Sequence, residues 1–366
     1  MEPSRGRIPQ LDGLRAFAIL PVLLTHSWRD FKGLPFAAIG PAGWIGVDLF
    51  LVLSGFLITG ILLDSRGSEH YFRNFYARRG LRIWPLYFTI LAYVFLVLPH
   101  IPALAQDGAA LHGFKPIYYV LYLQNFKYGT GGPFPLAVTW SLAVEEHFYL
   151  VWPVLVAWTR KETLQRLLIL FIAATAIGRY FLLPWFGNST ASFLRFDEMA
   201  WGALLACWLR SPSYPVRRLR GWACAGAWLV PLVVWCILRQ PAWSWLRSHG
   251  VVYTLLGAGF FSWVALAVTA ERGSWLVAVL QNRFLRYTGV ISYGLYLFHP
   301  IVMPNHALHV FLDQLRPGLT RDAAEFLVEF AAVYMVAGLS WRFFESPILK
   351  LKSRFEWRPR AEAITA

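Results

Sequence analysis

Residues 11–28 read LDGLRAFAILPVLLTHSW, an apolar run interrupted by Asp12 near its start and by two basic side chains, Arg15 and His26. On an α-helix this pair is separated by about three turns plus roughly 20°, so one face carries both, about 16 Å apart along the axis. That rise is about half of a bilayer's hydrocarbon core. Ionisable groups inside membrane spans face a bundle interior or a water-filled cavity, because exposing them to lipid is costly. The stretch predicts a first membrane helix whose polar stripe does chemical work. Although a basic start precedes the run, as in a signal peptide, no small-x-small cleavage site follows, so it reads as an uncleaved span.

Composition extends this reading to the whole chain. Of 366 residues, 57% are hydrophobic and 15% charged, whereas soluble domains carry about 25% charged residues. The expectation is an all-α polytopic membrane protein with about ten transmembrane helices, at 9–28, 43–63, 83–104, 140–158, 164–186, 194–209, 219–238, 250–270, 288–305 and 323–343. The apolar segment 116–126, PIYYVLYLQNF, is about half the length a span requires and reads as a short or re-entrant helix.

Lys and Arg concentrate at 5–7, 66–82, 160–166, 210–220, 272–286 and 342–360, all on the side of the N-terminus. The opposite loops hold only Arg29, Lys32, Lys115, Lys127, Arg239, Arg247, Arg316 and Arg321. By the positive-inside rule both termini are expected in the cytoplasm. This accounts for the net charge of +14 without nucleic acid. Cys207, Cys224 and Cys236 lack CxxC spacing and imply neither disulfide nor metal. The basic, aromatic-laced segment 346–366 is expected to be a cytoplasmic tail along the anionic inner leaflet.

With that topology, His26, Asp48, Glu145, Glu146, His299 and the group Arg195, Asp197 and Glu198 fall at similar depth in the outer third of the bundle. A histidine beside a carboxylate is a way to orient a general base, which makes His26 the base and Asp48 or Glu145 its partner. His299, directly before Pro300, reads as a packing or capping residue. At the inner face, Arg78, Arg79 and Arg82 stand at the start of the third span, with Arg15 one turn further in. Arginine forks match phosphate oxygens, and the cytosol supplies phosphate-bearing donors. Ser141, Tyr149 or a backbone N–H could stabilise an oxyanion. Walker, GxGxxG, HExxH and GxSxG motifs are absent, and GTGGP at 129–133 is a loop signal. A transporter of an anionic lipid or acyl donor is the alternative, although the internal repeats and paired broken helices of that class are missing.

These blocks resemble the acyltransferase family 3 membrane O-acyltransferases nearly end to end. Arg15 and His26 match the family's first-helix basic-to-His spacing, and GVDLFLVLSGFLITGIL (46–62) is similar to its second-helix signature. RRGLRIWPLY (78–87) contains its RxxR element as Arg79 and Arg82, and TWSLAVEEHFYLVWP (139–153) resembles its WSLxxE–FYL block. ISYGLYLFHP (291–300) and FFESPILKLK (343–352) match its closing blocks.

The resemblance implies a transmembrane acyltransferase domain over 1–345. It further implies transfer of an acyl group, commonly acetyl, from cytosolic acyl-CoA to a hydroxyl of a carbohydrate-containing or macrolide-type acceptor. His26 would be the base or acyl acceptor, Arg15, Arg79 and Arg82 would contact the donor's phosphates, and Glu145 would be the motif's acid. A multi-pass protein of the cytoplasmic membrane is expected. Some members add an esterase-like domain, and a chain ending after a short tail is expected to perform one-step transfer or to use a partner.

Overall fold

The computed structural model describes residues 8–27, 40–101, 111–211, 214–239, 250–303 and 319–357, and all regular structure among them is helical. The loop residues Arg29, Lys32, Arg247 and Arg316, and residues 358–366 of the expected tail, lie outside the described residues.

Helices α1 (Pro9–Ser27), α2 (Ile45–Asp64) and α3 (Tyr71–Ala92) open the bundle, and α3 continues into a π-helical turn at Tyr93–Val97. Three short helices follow: α4 (Pro116–Val120), α5 (Gln124–Lys127) and α6 (Phe134–Ala137). Tyr122, at φ 57°, separates α4 from α5 and keeps 116–126 from forming one continuous helix. Next come α7 (Trp140–Trp158), α8 (Lys161–Phe186), α9 (Phe196–Leu209), α10 (Val216–Gly226), α11 (Leu229–Leu238) and α12 (Val251–Thr269). The chain closes with α13 (Trp275–Leu280), α14 (Arg283–Val302) and α15 (Leu319–Ser340). A π-helical turn at Trp341–Glu345 then leads into α16 (Ser346–Lys350) and a 3₁₀ turn at Leu351–Phe355.

Six segments among the described residues are long and apolar enough to cross a membrane, at 40–64, 71–100, 161–186, 216–238, 251–269 and 321–355. The other expected spans are helical as α1, α7, α9 and α14, but they fall short on length or hydropathy. Helix α9 has 14 residues, against about 20 for a full crossing. Helix α7 carries Glu145, Glu146 and His147. The expectation of about ten spans therefore stands at six on length and composition.

Burial separates the centre from the periphery. The apolar windows of 40–64 and 251–269 are 78% and 61% buried, while those of 161–186, 216–238 and 321–355 are only 22–28% buried. The peripheral helices present exposed leucines such as Leu170 and Leu182, and Trp185 is exposed at the end of α8. That is the surface a lipid-facing helix needs.

Close backbone contact fixes the central helices. A Cβ on Gly55 of α2 would lie 1.9 Å from the Met199 carbonyl oxygen, and one on Gly202 of α9 would lie 2.0 Å from that of Val52. The crossing tolerates no side chain at either position, as at small-residue interfaces between membrane helices. Gly202→Val should force the pair apart at a loss of about 3 kcal/mol or more. Thermal unfolding in detergent checks this, and an unchanged midpoint would refute the contact. Likewise α1 lies against α14, where a Cβ on Gly289 would meet the Asp12 carbonyl oxygen at 1.7 Å. Running in the same direction from that contact, the two helices bring His26 and His299 together at their far ends.

Candidate active site

A cavity of about 830 Å³, part of it open to solvent, lies between α1, α2, α3, α7 and α14. Each helix contributes a stripe set by its own periodicity. Helix α7 gives Ser141, Glu145 and Tyr149 at i, i+4 and i+8, and α14 gives Ser292, Tyr293 and Tyr296. Ser54 comes from α2, Arg79 and Arg82 from α3, and Arg15 from α1. All three arginines expected to contact phosphate thus line one cavity.

The arginines are held without being fully neutralised. Arg15 pairs with Asp12 at 2.7 Å. The Arg79 guanidinium stands 5.7 Å from the Tyr149 ring, and that of Arg82 stands 5.8 Å from Tyr293 and 5.7 Å from Trp341. Aromatic faces position a cation while leaving its N–H groups available. Trp341 is the first residue of the π-helical turn that follows α15. Glu145 is within reach of Tyr149, Ser54, Arg79 and Arg15, and the Ser54 and Tyr149 hydroxyls hydrogen-bond to each other. Arg78, grouped with Arg79 and Arg82 on sequence, behaves differently: it donates to the carbonyls of Lys352 at 2.9 Å and Phe355 at 3.4 Å.

At the other end of the stripe, Tyr296 is clamped. Its hydroxyl donates to the Val138 carbonyl at 2.6 Å and lies 2.7 Å from Ser141 Oγ. The Tyr296 ring is 5.8 Å from His299, whose ring is 4.6 Å from His26. His26 Nδ1 lies 2.9 Å from the Val22 carbonyl, and His299 Nδ1 lies 3.2 Å from that of Leu295. A carbonyl oxygen only accepts, so each Nδ1 carries its proton and each Nε2 keeps a lone pair. His299 is fully buried and its Nε2 finds no partner among the described residues. The sequence reading of His299 as mere packing missed this adjacency. Pro300, which cannot donate to the Tyr296 carbonyl four residues earlier, was the available signal.

The expected carboxylate partner of His26 is not where depth alone put it. Asp48 Oδ1 accepts from Arg195 Nη2 at 2.6 Å, and Asp48 Oδ2 has no hydrogen-bond partner among the described residues. The reason is helical phase: Gly46 faces Ala18 of α1, so Asp48, two residues on, turns towards Arg195 at the start of α9. Arg195 also lies 3.2 Å from Glu198, while Arg179 of α8 pairs with Asp197. These five ionic side chains are all at most 2% exposed, with the Tyr253 ring 4.1 Å from Arg195 and 5.4 Å from Arg179. Glu146 accepts from Trp84 Nε1 at 3.4 Å, and His147 meets Ser192 Oγ at 2.7 Å. The single outer polar layer expected from the sequence is therefore three separate groups, and Glu145 belongs with the arginines. Among the described residues, no cluster of three or more His, Cys, Asp or Glu could hold a metal ion.

Comparison with known proteins adds the family. The pattern of the family described as acyltransferase domain, acyltransferase family 3, matches residues 8–339. The chain belongs to this family. It is 29% identical to the peptidoglycan O-acetyltransferase OatA of Listeria monocytogenes, over 95% of this chain and 56% of that protein. It is 27% identical to the putative peptidoglycan O-acetyltransferase YrhL of Bacillus subtilis, over 93% of this chain and 55% of that protein. With the O-acetyltransferase OatA of Staphylococcus aureus the identity is 26%, over 94% and 57%. The chain thus spans little more than half the length of these relatives. No solved structure matches it. It is a multi-pass membrane protein of this family.

Proposed function

We propose that this acyltransferase moves an acyl group, acetyl in the simplest case, from acyl-CoA to a hydroxyl of a sugar-containing acceptor. The observation that carries the reading is the continuous polar path from Arg15, Arg79 and Arg82, past Glu145, to Tyr296, His299 and His26. The arginine end faces the cytoplasm of a cytoplasmic membrane, both termini lie on that side, and the His26 end meets the acceptor. Arg79 and Arg82 bind the donor's phosphates, and the tyrosine-lined cavity excludes water from the acyl arm.

His26 Nε2 takes the proton of the acceptor hydroxyl as its oxygen attacks the thioester carbonyl. As the tetrahedral intermediate collapses, the C–S bond breaks and the proton passes from His26 to the leaving sulfur. His299, at 4.6 Å, packs against His26 and offers its own Nε2 lone pair to the protonated ring. In this role it takes the place expected of Asp48. The names of the curated relatives support a glycan acceptor, with peptidoglycan the first to try.

The purified chain in lipid vesicles, given labelled acetyl-CoA and a muramic-acid-containing glycan, should transfer label; no transfer to any carbohydrate hydroxyl would remove the reading. Arg82→Lys keeps the charge but loses the fork and the stacking on Tyr293 and Trp341. It should raise the apparent KM for acetyl-CoA about tenfold with kcat little changed. An unchanged KM would take Arg82 out of the donor site.

A further inference from the structure

The segment after α15 does not hang free. Arg78 Nη1 donates to the carbonyls of Lys352 and Phe355, and its guanidinium lies 4.8 Å from the Trp357 ring. Asn74 Nδ2 donates to the Glu356 carbonyl at 3.0 Å, and Arg73 stands 5.7 Å from the Phe355 ring. Residues 74, 78 and 82 follow one another at i+4, so a strap tied to the first two lies along the stripe that leads to Arg82. Five backbone and ring contacts fix the strap at Lys352–Trp357, and none of them uses the Lys352 ammonium.

That ammonium is half-buried and within electrostatic reach of Arg79, Arg82, Arg78 and Arg15. No carboxylate among the described residues forms an ion pair with Arg79, Arg82 or Lys352. Glu145 lies within electrostatic reach of Arg79 and Arg15, and Glu345 of Arg82, so the cluster is only partly compensated. Partly buried cations in excess of their carboxylates are unfavourable unless a ligand supplies further negative charge. A phosphate with several oxygens, accepting charge-assisted hydrogen bonds from more than one donor, meets that need.

We propose that Lys352 is a third cationic ligand for the donor's phosphates, held beside α3 by the Arg78-anchored strap. The proposal rests on the reading of acyl-CoA as donor and adds to it a residue outside the RxxR element. Arg78 then acts as a positioning residue: its hydrogen bonds go to the strap's carbonyls, and the strap presents the lysine. The same phosphate chemistry could come from an anionic lipid headgroup, which the experiment separates.

The test is calorimetric titration of the full detergent-purified chain with CoA and with 3′-dephospho-CoA, in neutral detergent and again with phosphatidylglycerol added. Lys352→Gln should weaken CoA binding about tenfold, Lys352→Arg should recover most of it, and the melting temperature of both variants should match wild type. Arg78→Gln should weaken CoA binding in the same direction by freeing the strap. A smaller effect of Lys352→Gln on 3′-dephospho-CoA would assign the lysine to the 3′-phosphate, and an equal effect would assign it to the diphosphate. Unaltered CoA affinity in Lys352→Gln, with loss of binding in Arg82→Gln, would overturn the role of Lys352 and leave the donor reading intact. A Lys352-dependent affinity for phosphatidylglycerol but not for CoA would also overturn it. Failure of the wild-type chain to bind CoA at all would instead bring down the donor reading.

Discussion

His26→Ala should lower kcat for acyl transfer by about 10²–10⁴-fold, the usual contribution of a positioned general base. Its effect on CoA affinity should be small, because Arg79 and Arg82, the proposed donor contacts, lie at the other end of the path. The side chain is half-buried and, among the described residues, hydrogen-bonds only to the backbone of its own helix, so truncation leaves no described charge stranded in the core. Stability in detergent should therefore stay close to wild type, which separates a chemical loss from a folding loss. Labelled acetyl transfer in vesicles, CoA titration and a melting curve make the three measurements. Wild-type transfer by His26→Ala would show that another group takes the acceptor's proton.

Arg195→Met should act in the opposite way, on folding more than on chemistry. Arg195 stands between Asp48 and Glu198 with 2% of its side chain exposed, and both acids are fully buried. Removing one partner of a buried ion pair costs about 3–5 kcal/mol, because the remaining charge is left in a medium that cannot solvate it. Methionine retains much of the volume between Trp140 and Tyr253, so the loss is chiefly electrostatic. Adding Asp48→Asn and Glu198→Gln to Arg195→Met should restore part of the stability. Denaturant or thermal unfolding of the two variants checks this; a single variant as stable as wild type would refute the clamp. The same logic separates Asp48 from the chemistry. Asp48→Asn should lower stability while the folded fraction keeps its transfer rate.

The sequence revealed more about depth than about direction. Hydropathy and the Arg15–His26 spacing placed a polar stripe on α1, and its two ends do meet a cavity and a second imidazole. The i, i+4 pattern of Ser141, Glu145 and Tyr149 was equally readable, since a helix places such residues on one face. Azimuth was not readable. Asp48 and Glu145 matched His26 in depth, but which way each points is set by the packing of α2 on α9 and of α7 on α2. The packing of α2 on α9 rests on glycines whose partners lie far away in sequence, such as Gly55 and Met199. The π-helical turns were also beyond pattern reading, because one extra residue per turn leaves no compositional trace. One of them begins at Trp341, which faces Arg82.

The Nδ1 contacts of His26 and His299 have a consequence for how such a protein can diversify. Each ring is oriented by a main-chain carbonyl four residues earlier on its own helix, at Val22 and at Leu295. The tautomer that exposes Nε2 is therefore inherited with the helix and is indifferent to which side chains occupy positions 22 and 295. Neighbouring spans and loops can change shape around a new acceptor without unsettling the Nε2 proposed to take its proton. Reactivity and selectivity are thereby separable in this scaffold, one written in the backbone and the other in the side chains around it.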